Sequence, residues 1–245
     1  MSTVTMVLVA WLLAGTPDAD SPPAPGGGGT FVAKTLTLKN VTYHYSVYLP
    51  PGYPTGKALP VILSLHDAGG QGSEGEHPRA QSLVNAVRKY PERYPALLVL
   101  PQCPPQRDWS GEVADFALAA LERTVEEYGG DARRVYLTGQ STGAQGAVRF
   151  AANYPERFAA VVAVSGRYPD HELVHRLKRL PLWMWHGEKD AEVPVNESRV
   201  MMQLLKATGN NQVHYTELSG LGHNITATVF LDEALSKWMF AQHRP

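Results

Sequence analysis

From Thr35 onward the chain moves between two hydrophobic rhythms. Residues Thr35 to Leu49 (TLTLKNVTYHYSVYL) alternate apolar and polar on both sides of Lys39-Asn40. A period of two broken by a turn dipeptide predicts an antiparallel hairpin at a sheet edge. Short unbroken apolar runs follow: Leu59 to Leu65 (LPVILSL), Ala96 to Pro101 (ALLVLP), Val135 to Thr138 (VYLT), Phe158 to Ser165 (FAAVVAVS) and Leu182 to Trp185 (LWMW). Runs without polar alternation predict strands covered on both faces, and Val213 to Leu218 (VHYTEL) reads as one more strand. Between them the apolar spacing becomes that of a helix, over Val113 to Tyr128, Thr142 to Asn153, Asp170 to Leu180, Ser198 to Thr208 and Thr228 to Ala241. Strand and helix in turn imply an α/β chain with a mainly parallel sheet and helices on both faces. In such a sheet the ligand site lies at the carboxyl ends of the strands, so chemistry is expected in the residues that follow each strand.

The N-terminus breaks this pattern. Val4 to Ala14 (VTMVLVAWLLA) is an apolar run too short to span a bilayer, and Pro17 to Gly29 (PDADSPPAPGGGG) has the composition of a linker. A run of this kind reads as an export signal, although no Lys or Arg precedes it; the plainer reading is an apolar tail. Residues 1–29 are therefore set apart from a single catalytic domain expected over 30–245. With 245 residues, 44% hydrophobic and 18% charged, the chain can bury a sizeable core. Its formal net charge of -1 supplies no electrostatic reason to expect a nucleic-acid partner. The single cysteine, Cys103, leaves no intrachain disulfide and no cysteine-based zinc cluster, and it is expected to be a small buried thiol.

Two short motifs compete for the chemistry. His171-Glu172-Leu173-Val174-His175 fits H-E-x-x-H, the pattern in which two histidines one helical turn apart bind zinc and the glutamate acts as base. On a helical wheel, however, Leu173, Val174, Leu177 and Leu180 share one side, which places His171 and His175 in solvent beside Lys178. Glu172 and Arg176 have the spacing of a surface ion pair, and Lys178 and Pro181 stand where an extended zinc pattern needs glycine and histidine. With Asp170 as N-cap and Pro181 as stop, the segment is expected to be a short surface helix rather than a metal site.

The second motif is Gly139-Gln140-Ser141-Thr142-Gly143, a G-x-S-x-G between a predicted strand and a predicted helix. So tight a turn strains the serine backbone, and its glycines are needed because side chains there would strike neighbouring main chain. Ala144, Gly146 and Ala147 keep the next helix small where it meets the sheet. Ser141 would then stand at a helix N-terminus, where developing negative charge is favoured. A serine nucleophile needs a base and a group that orients the base, in the chain order acid then histidine. After LWMW comes Asp190, with Glu188 and Glu192 close by, and after VHYTEL comes His223. His214, inside a predicted strand, is expected to be a packed or surface side chain. His66 ends the first core strand, before Asp67-Ala68-Gly69-Gly70-Gln71-Gly72, a loop able to turn backbone N–H groups toward the serine.

The segments YSVYLPPGY, LSLHDAGGQG, PQCP with Trp109 shortly after it, GQSTGAQGA, HGEKDAEVP and GHN occur in that order. From Tyr45 to Pro245 the chain resembles the α/β-hydrolases of the lid-poor esterase type, related to prolyl oligopeptidase catalytic domains and to feruloyl and polyhydroxybutyrate esterases. The resemblance implies an α/β-hydrolase fold without a cofactor, Ser141 as nucleophile, His223 as base and then acid, and Asp190 rather than Glu188 or Glu192 as the orienting carboxylate. It implies oxyanion donation from the backbone N–H of Thr142 and of Asp67 or Ala68. Trp109, Gln140 and His66 are taken as substrate-contacting positions, His66 chiefly as the residue that orients the loop.

Two residues depart from the resembled pattern: Asp67 stands where relatives have glycine, and Thr142 where they have methionine. An inward carboxylate would oppose the charge that an oxyanion hole stabilises, so Asp67 is expected to turn away and cap its loop. Only Gly166 to Arg179 separate two strands at the place where many α/β-hydrolases insert a lid, so an open site is expected. Such a site suits aryl, cinnamoyl, short-acyl or polyester-type esters, with no membrane span involved. A serine peptidase with the same triad, a silent hydrolase fold used for binding, and a zinc protease are the competing readings.

Overall fold

The computed structural model describes residues 29–168 and 171–244. An eight-stranded sheet runs in the order β1-β2-β4-β3-β5-β6-β7-β8. Its first two strands, β1 (Thr30–Leu38) and β2 (Val41–Leu49), form the expected edge hairpin in full antiparallel register. Lys39 and Asn40 both take positive φ there, which a two-residue turn matched to strand twist requires. Strand β2 also pairs antiparallel with β4 (Leu97–Pro101), whereas β3 (Leu59–Leu65), β5 (Gly130–Gln140), β6 (Ala160–Val164), β7 (Leu182–Gly187) and β8 (Val213–Leu218) are parallel. The unbroken apolar runs are buried through β4 and β6, as strands with helices on both sides must be.

The sheet separates two cores. One face packs on α2 (Gly111–Glu127), α3 (Thr142–Asn153) and α4 (Asn196–Ala207); the other packs on α1 (Ser82–Lys89), α5 (Thr226–Leu231) and α6 (Glu233–Ala241). Helix α1 has no counterpart among the helices read from the sequence. It buries Leu83, Val84, Ala86 and Val87 in only eight residues, too few turns for the spacing to stand out. The single helix expected from Thr228 to Ala241 is two, because Asp232 accepts a hydrogen bond from the Ala234 N–H (2.8 Å) and starts a new helix.

The larger correction concerns His171 to Leu180. Residues His171–Leu177 form a 3-10 helix; the proposed cap, Asp170, lies outside the described residues. The buried positions Val174, Leu177 and Leu180 are three apart, which is the period of a 3-10 helix. Arg176 reaches Asn153 Oδ1 (3.3 Å) rather than Glu172. Residues 1–28, with the apolar run and most of the linker, also lie outside the described residues. Among the described residues no helix is long and apolar enough to cross a membrane.

Candidate active site

The carboxyl ends of β3, β5, β6, β7 and β8 bring the sequence-predicted residues to one edge of the sheet. Strand β5 runs straight into Ser141, whose φ of 53° and ψ of -118° lie outside the ordinary allowed regions for a side-chain-bearing residue. Close main-chain packing fixes this turn. A Cβ on Gly143 would collide with the carbonyls of Leu65 and His66, and one on Gly139 with the backbone of Gly143 and Ala144. The Ser141 N–H is held by Val164 O (2.8 Å) on the adjacent strand. Its hydroxyl forms no hydrogen bond among the described residues.

Asp190 and His223 meet directly. Asp190 Oδ2 lies 2.7 Å from His223 Nδ1, while Oδ1 accepts the N–H groups of Glu192 (2.9 Å) and Val193 (2.8 Å). Burial pushes the Asp190 carboxyl up, but the Val193 amide, His223 and the Glu192 amide outweigh it and hold the group below the usual carboxylate range. An ionised Asp190 only accepts, so Nδ1 of His223 is the N–H and Nε2 is left to exchange a proton. Glu188, one rival carboxylate, is spent elsewhere: it accepts from Ser219 Oγ (2.7 Å) and Gly220 N–H (2.8 Å). Glu192, the other, is 67% exposed at the side chain, 3.8 Å from His223 Nε2.

The loops that present acid and base are joined along their length. Glu188 N–H donates to Leu218 O (3.0 Å) and Lys189 N–H to Leu221 O (2.8 Å). A Cβ on Gly187 would strike the carbonyls of Leu221 and Gly222, so this approach needs glycine. Ser165, buried with φ 51°, donates through Oγ to the His223 carbonyl (3.0 Å). Gln140 Nε2 lies 3.4 Å from Asn224 Oδ1, tying the neighbour of Ser141 to the neighbour of His223.

Two residues here were not singled out in the sequence. Ser165 is one; His186, at the end of β7, is the other. Fully buried, His186 puts Nε2 3.1 Å from Asp190 Oδ2 and 3.0 Å from Val193 O, with Ser198 Oγ 2.7 Å from Nδ1. Two acceptors face Nε2, so it bears a proton and gives Asp190 a second histidine donor. The only signal was its place in HGEKD, where neither spacing nor hydropathy separates a positioning histidine from a core one.

The loop after β3 presents the N–H groups of Asp67 and Ala68, and α3 that of Thr142; none of the three has an acceptor among the described residues. His66 fixes this loop. Its Nε2 accepts the Cys103 N–H (2.9 Å) and its Nδ1 donates to Asp67 O (2.5 Å), while burial holds its pKa below the usual histidine value. A neutral ring used at both nitrogens is a brace. Cys103 is buried and its thiol pushed up to about 11 by burial.

Two expectations need correction. Trp109, taken as a substrate-contacting position, is 2% exposed; its indole N–H donates to His66 O (2.9 Å) and its ring packs on His66 and against Gly146. It belongs to the core behind the loop because Gly146 leaves room for it there. Asp67 occupies the cap position of the 3-10 turn Ala68–Gly70 but makes no capping hydrogen bond. It instead borders an open cleft of about 590 Å³, together with His66, Gln140, Asn224 and the Gln81–Leu83 segment.

A family model described as phospholipase/carboxylesterase matches residues 113–238, which hold the serine turn, Asp190 and His223. The chain belongs to that family. Acetylxylan esterase A of Emericella nidulans is 27% identical over 138 residues, 50% of this chain and 41% of that protein. NocK of Nocardia uniformis subsp. tsuyamanensis is 28% identical over 176 residues, 68% of this chain and 50% of that protein. The chain thus spans half or less of the length of these curated relatives. A solved thermostable esterase superposes with a TM-score of 0.79 at 27% identity, over 87% of this chain and 63% of that one. A feruloyl esterase module from Clostridium thermocellum, solved with sinapinate, gives 0.73 at 17% identity over 94% of each chain, which shows a shared fold. Family and fold are those of carboxylesterase-type hydrolases.

Proposed function

We propose that this chain hydrolyses carboxylic esters through an acyl-enzyme, with Ser141 as nucleophile, His223 as base and then acid, and Asp190 as the carboxylate that orients His223. The observation that bears most weight is the 2.7 Å contact between the ionised Asp190 and His223 Nδ1, on loops beside a serine held at positive φ. His223 Nε2 takes the Ser141 proton as Oγ bonds to the ester carbonyl carbon. The tetrahedral oxyanion is met by the N–H of Thr142 and of Asp67 or Ala68, donors that must outweigh the repulsion from the Asp67 carboxylate on the same wall. Collapse breaks the bond between the acyl carbon and the alcohol oxygen, and His223 gives the proton to that leaving oxygen; water repeats the sequence on the acyl-enzyme.

The open cleft supports aryl, cinnamoyl, short-acyl or polyester-type esters as substrates, and relatives named for acetylxylan and feruloyl esters support the short-acyl and cinnamoyl members of that set. Between β6 and β7 the described residues hold a single short 3-10 helix, which supports direct access to the serine. Under the same reading Val4 to Ala14 is an export signal, tested by N-terminal sequencing of protein recovered outside the cell.

Hydrolysis of p-nitrophenyl acetate and butyrate tests the reaction, using the wild type, Ser141→Ala and His171→Ala with and without a strong chelator. Activity lost in Ser141→Ala and indifferent to chelator and to His171→Ala is the expected result. Activity that survives Ser141→Ala and dies with chelator would overturn the assignment.

A further inference from the structure

The cleft that Gln140 and Asn224, chain neighbours of Ser141 and His223, help to line has an uneven charge pattern. Its walls come from the loop after β3, the 3-10 turn His77–Ala80, the start of α1, the end of β5 and the segment from Asn224 to Phe230. Most polar groups on those walls are uncharged. Ser64 Oγ donates to Gln81 Oε1 (2.6 Å) and receives Thr138 Oγ1 (3.1 Å), Ser82 and Thr226 share a hydroxyl contact at 3.0 Å, and Gln140 and Asn224 face each other. Among the described residues no Lys or Arg lines this cleft, and the only carboxylate on it is Asp67; His66 and His77 are the other titratable groups.

Asp67 also has no Lys or Arg partner among the described residues. Its side chain makes no capping bond, forms no ion pair among the described residues, and lies over Gly69, with Oδ1 3.3 Å from where a Cβ on that glycine would sit. The nearby histidine, His66, is committed at both nitrogens as a neutral brace. The Asp67 carboxyl therefore stands on the cleft wall without a cationic partner, on the very residue whose backbone N–H faces the reacting carbonyl under the ester-hydrolase reading.

We infer that Asp67 makes the cleft select uncharged or cationic esters and reject esters whose acyl or alcohol part bears an anion. This rests on the proposed reaction at Ser141 and adds the charge class of its substrate. A second negative charge held beside Asp67 meets a repulsion that an uncharged group of the same size does not, and no wall cation offsets it. The effect enters kcat/KM through binding and through the transition state alike, because the substrate anion sits in the cleft in both.

The test compares mono-(4-nitrophenyl) glutarate, anionic at neutral pH, with its methyl ester, which keeps the same leaving group and reacting carbonyl. For the wild type at low salt kcat/KM is expected to favour the methyl ester by about tenfold or more beyond the ratio in base-catalysed hydrolysis, as expected for two charges at short range near a surface. Asp67→Asn is expected to remove most of that preference, whatever it does to the absolute rate. Raising the ionic strength to about 1 M is expected to narrow the wild-type ratio as well, since salt screens a partly exposed charge. The salt series shows whether charge sets the ratio but reads Glu192, 3.8 Å from His223 Nε2, as well, so Asp67→Ser serves as a second variant if Asp67→Asn fails to fold, and Glu192→Gln is expected to leave most of the preference in place. A wild type without the preference, or a preference that a folded Asp67 variant leaves unchanged whatever salt does, would overturn the inference, provided hydrolysis of the methyl ester is lost in Ser141→Ala. Methyl ester hydrolysis that persists in Ser141→Ala would instead overturn the reaction on which it rests.

Discussion

The turn at Gly139–Gly143 and the segment His171–Leu177 are the two places where this sequence writes a catalytic motif, and the backbone treats them in opposite ways. The first is clamped: glycine backbones in contact, a serine at positive φ, and an amide fixed to the next strand. The second turns with three residues per turn, so two histidines four positions apart point about 120° away from each other instead of sharing a face. His175 Nδ1 is already 2.7 Å from Glu172 O. A motif states residue types and spacing; the helix type decides whether that spacing converges.

The comparison can be broken or sharpened by experiment. The largest effect is expected for Asp190→Asn, which keeps the shape and removes the charge that holds the His223 tautomer; kcat should fall by about 10³- to 10⁴-fold at nearly unchanged KM. A fall below tenfold would show that Asp190 does not serve His223. Next comes His186→Leu, which deletes the second donor to Asp190. A loss of about 10- to 100-fold in kcat is expected, with recovery in His186→Gln, whose amide nitrogen can replace Nε2. Equal losses in both variants would reduce His186 to a packing role.

Gly143→Ala addresses the clamp itself, since its Cβ would meet two main-chain carbonyls. Thermal unfolding is expected to show a destabilisation of about 2 kcal/mol or more, with activity lost in what remains folded. A smaller effect is expected in acid. The folded Asp190 carboxyl lies below its unfolded value, so its stabilisation is present above the unfolded value, near pH 4, and is lost as pH falls through the folded one. The Tm difference between wild type and Asp190→Asn should therefore shrink between about pH 5 and about pH 3. The smallest effect belongs to the other motif: His171→Ala with His175→Ala should change stability by no more than about 0.5 kcal/mol and leave ester hydrolysis unaltered.

How much of this was legible depends on what each feature rests on. The central strands and α3 stand where the apolar runs and the small residues of GQSTGAQGA placed them, because burial on both faces and close packing leave direct marks on composition. Chain order after successive strands pointed to the loops of Asp190 and His223, but the choice of Asp190 over Glu188 and Glu192 came from the family resemblance, since all three carboxylates lie within five residues. Trp109 was not, since a tryptophan near a site reads alike whether its ring faces the cleft or the core, and the choice is made by Gly146 on another helix. The failed cap of Asp67 has a similar cause: a side-chain oxygen one position before a turn predicts capping, but its rotamer answers to the whole loop. His186 and Ser165 act through contacts with distant loops, for which local pattern has no signal.

The paired amides of Glu188 and Lys189 with Leu218 and Leu221, reinforced by the Glu188 carboxylate, have a dynamic consequence. Acid and base are sewn to each other more tightly than either is to the serine turn, so they should open to solvent as one cooperative unit. In hydrogen exchange the amides of Lys189 and Glu188 should share a single opening free energy, below that of the central strands. Under mild denaturant the molecule would then lose its proton-transfer pair in one step while the nucleophile's strand and helix stayed folded.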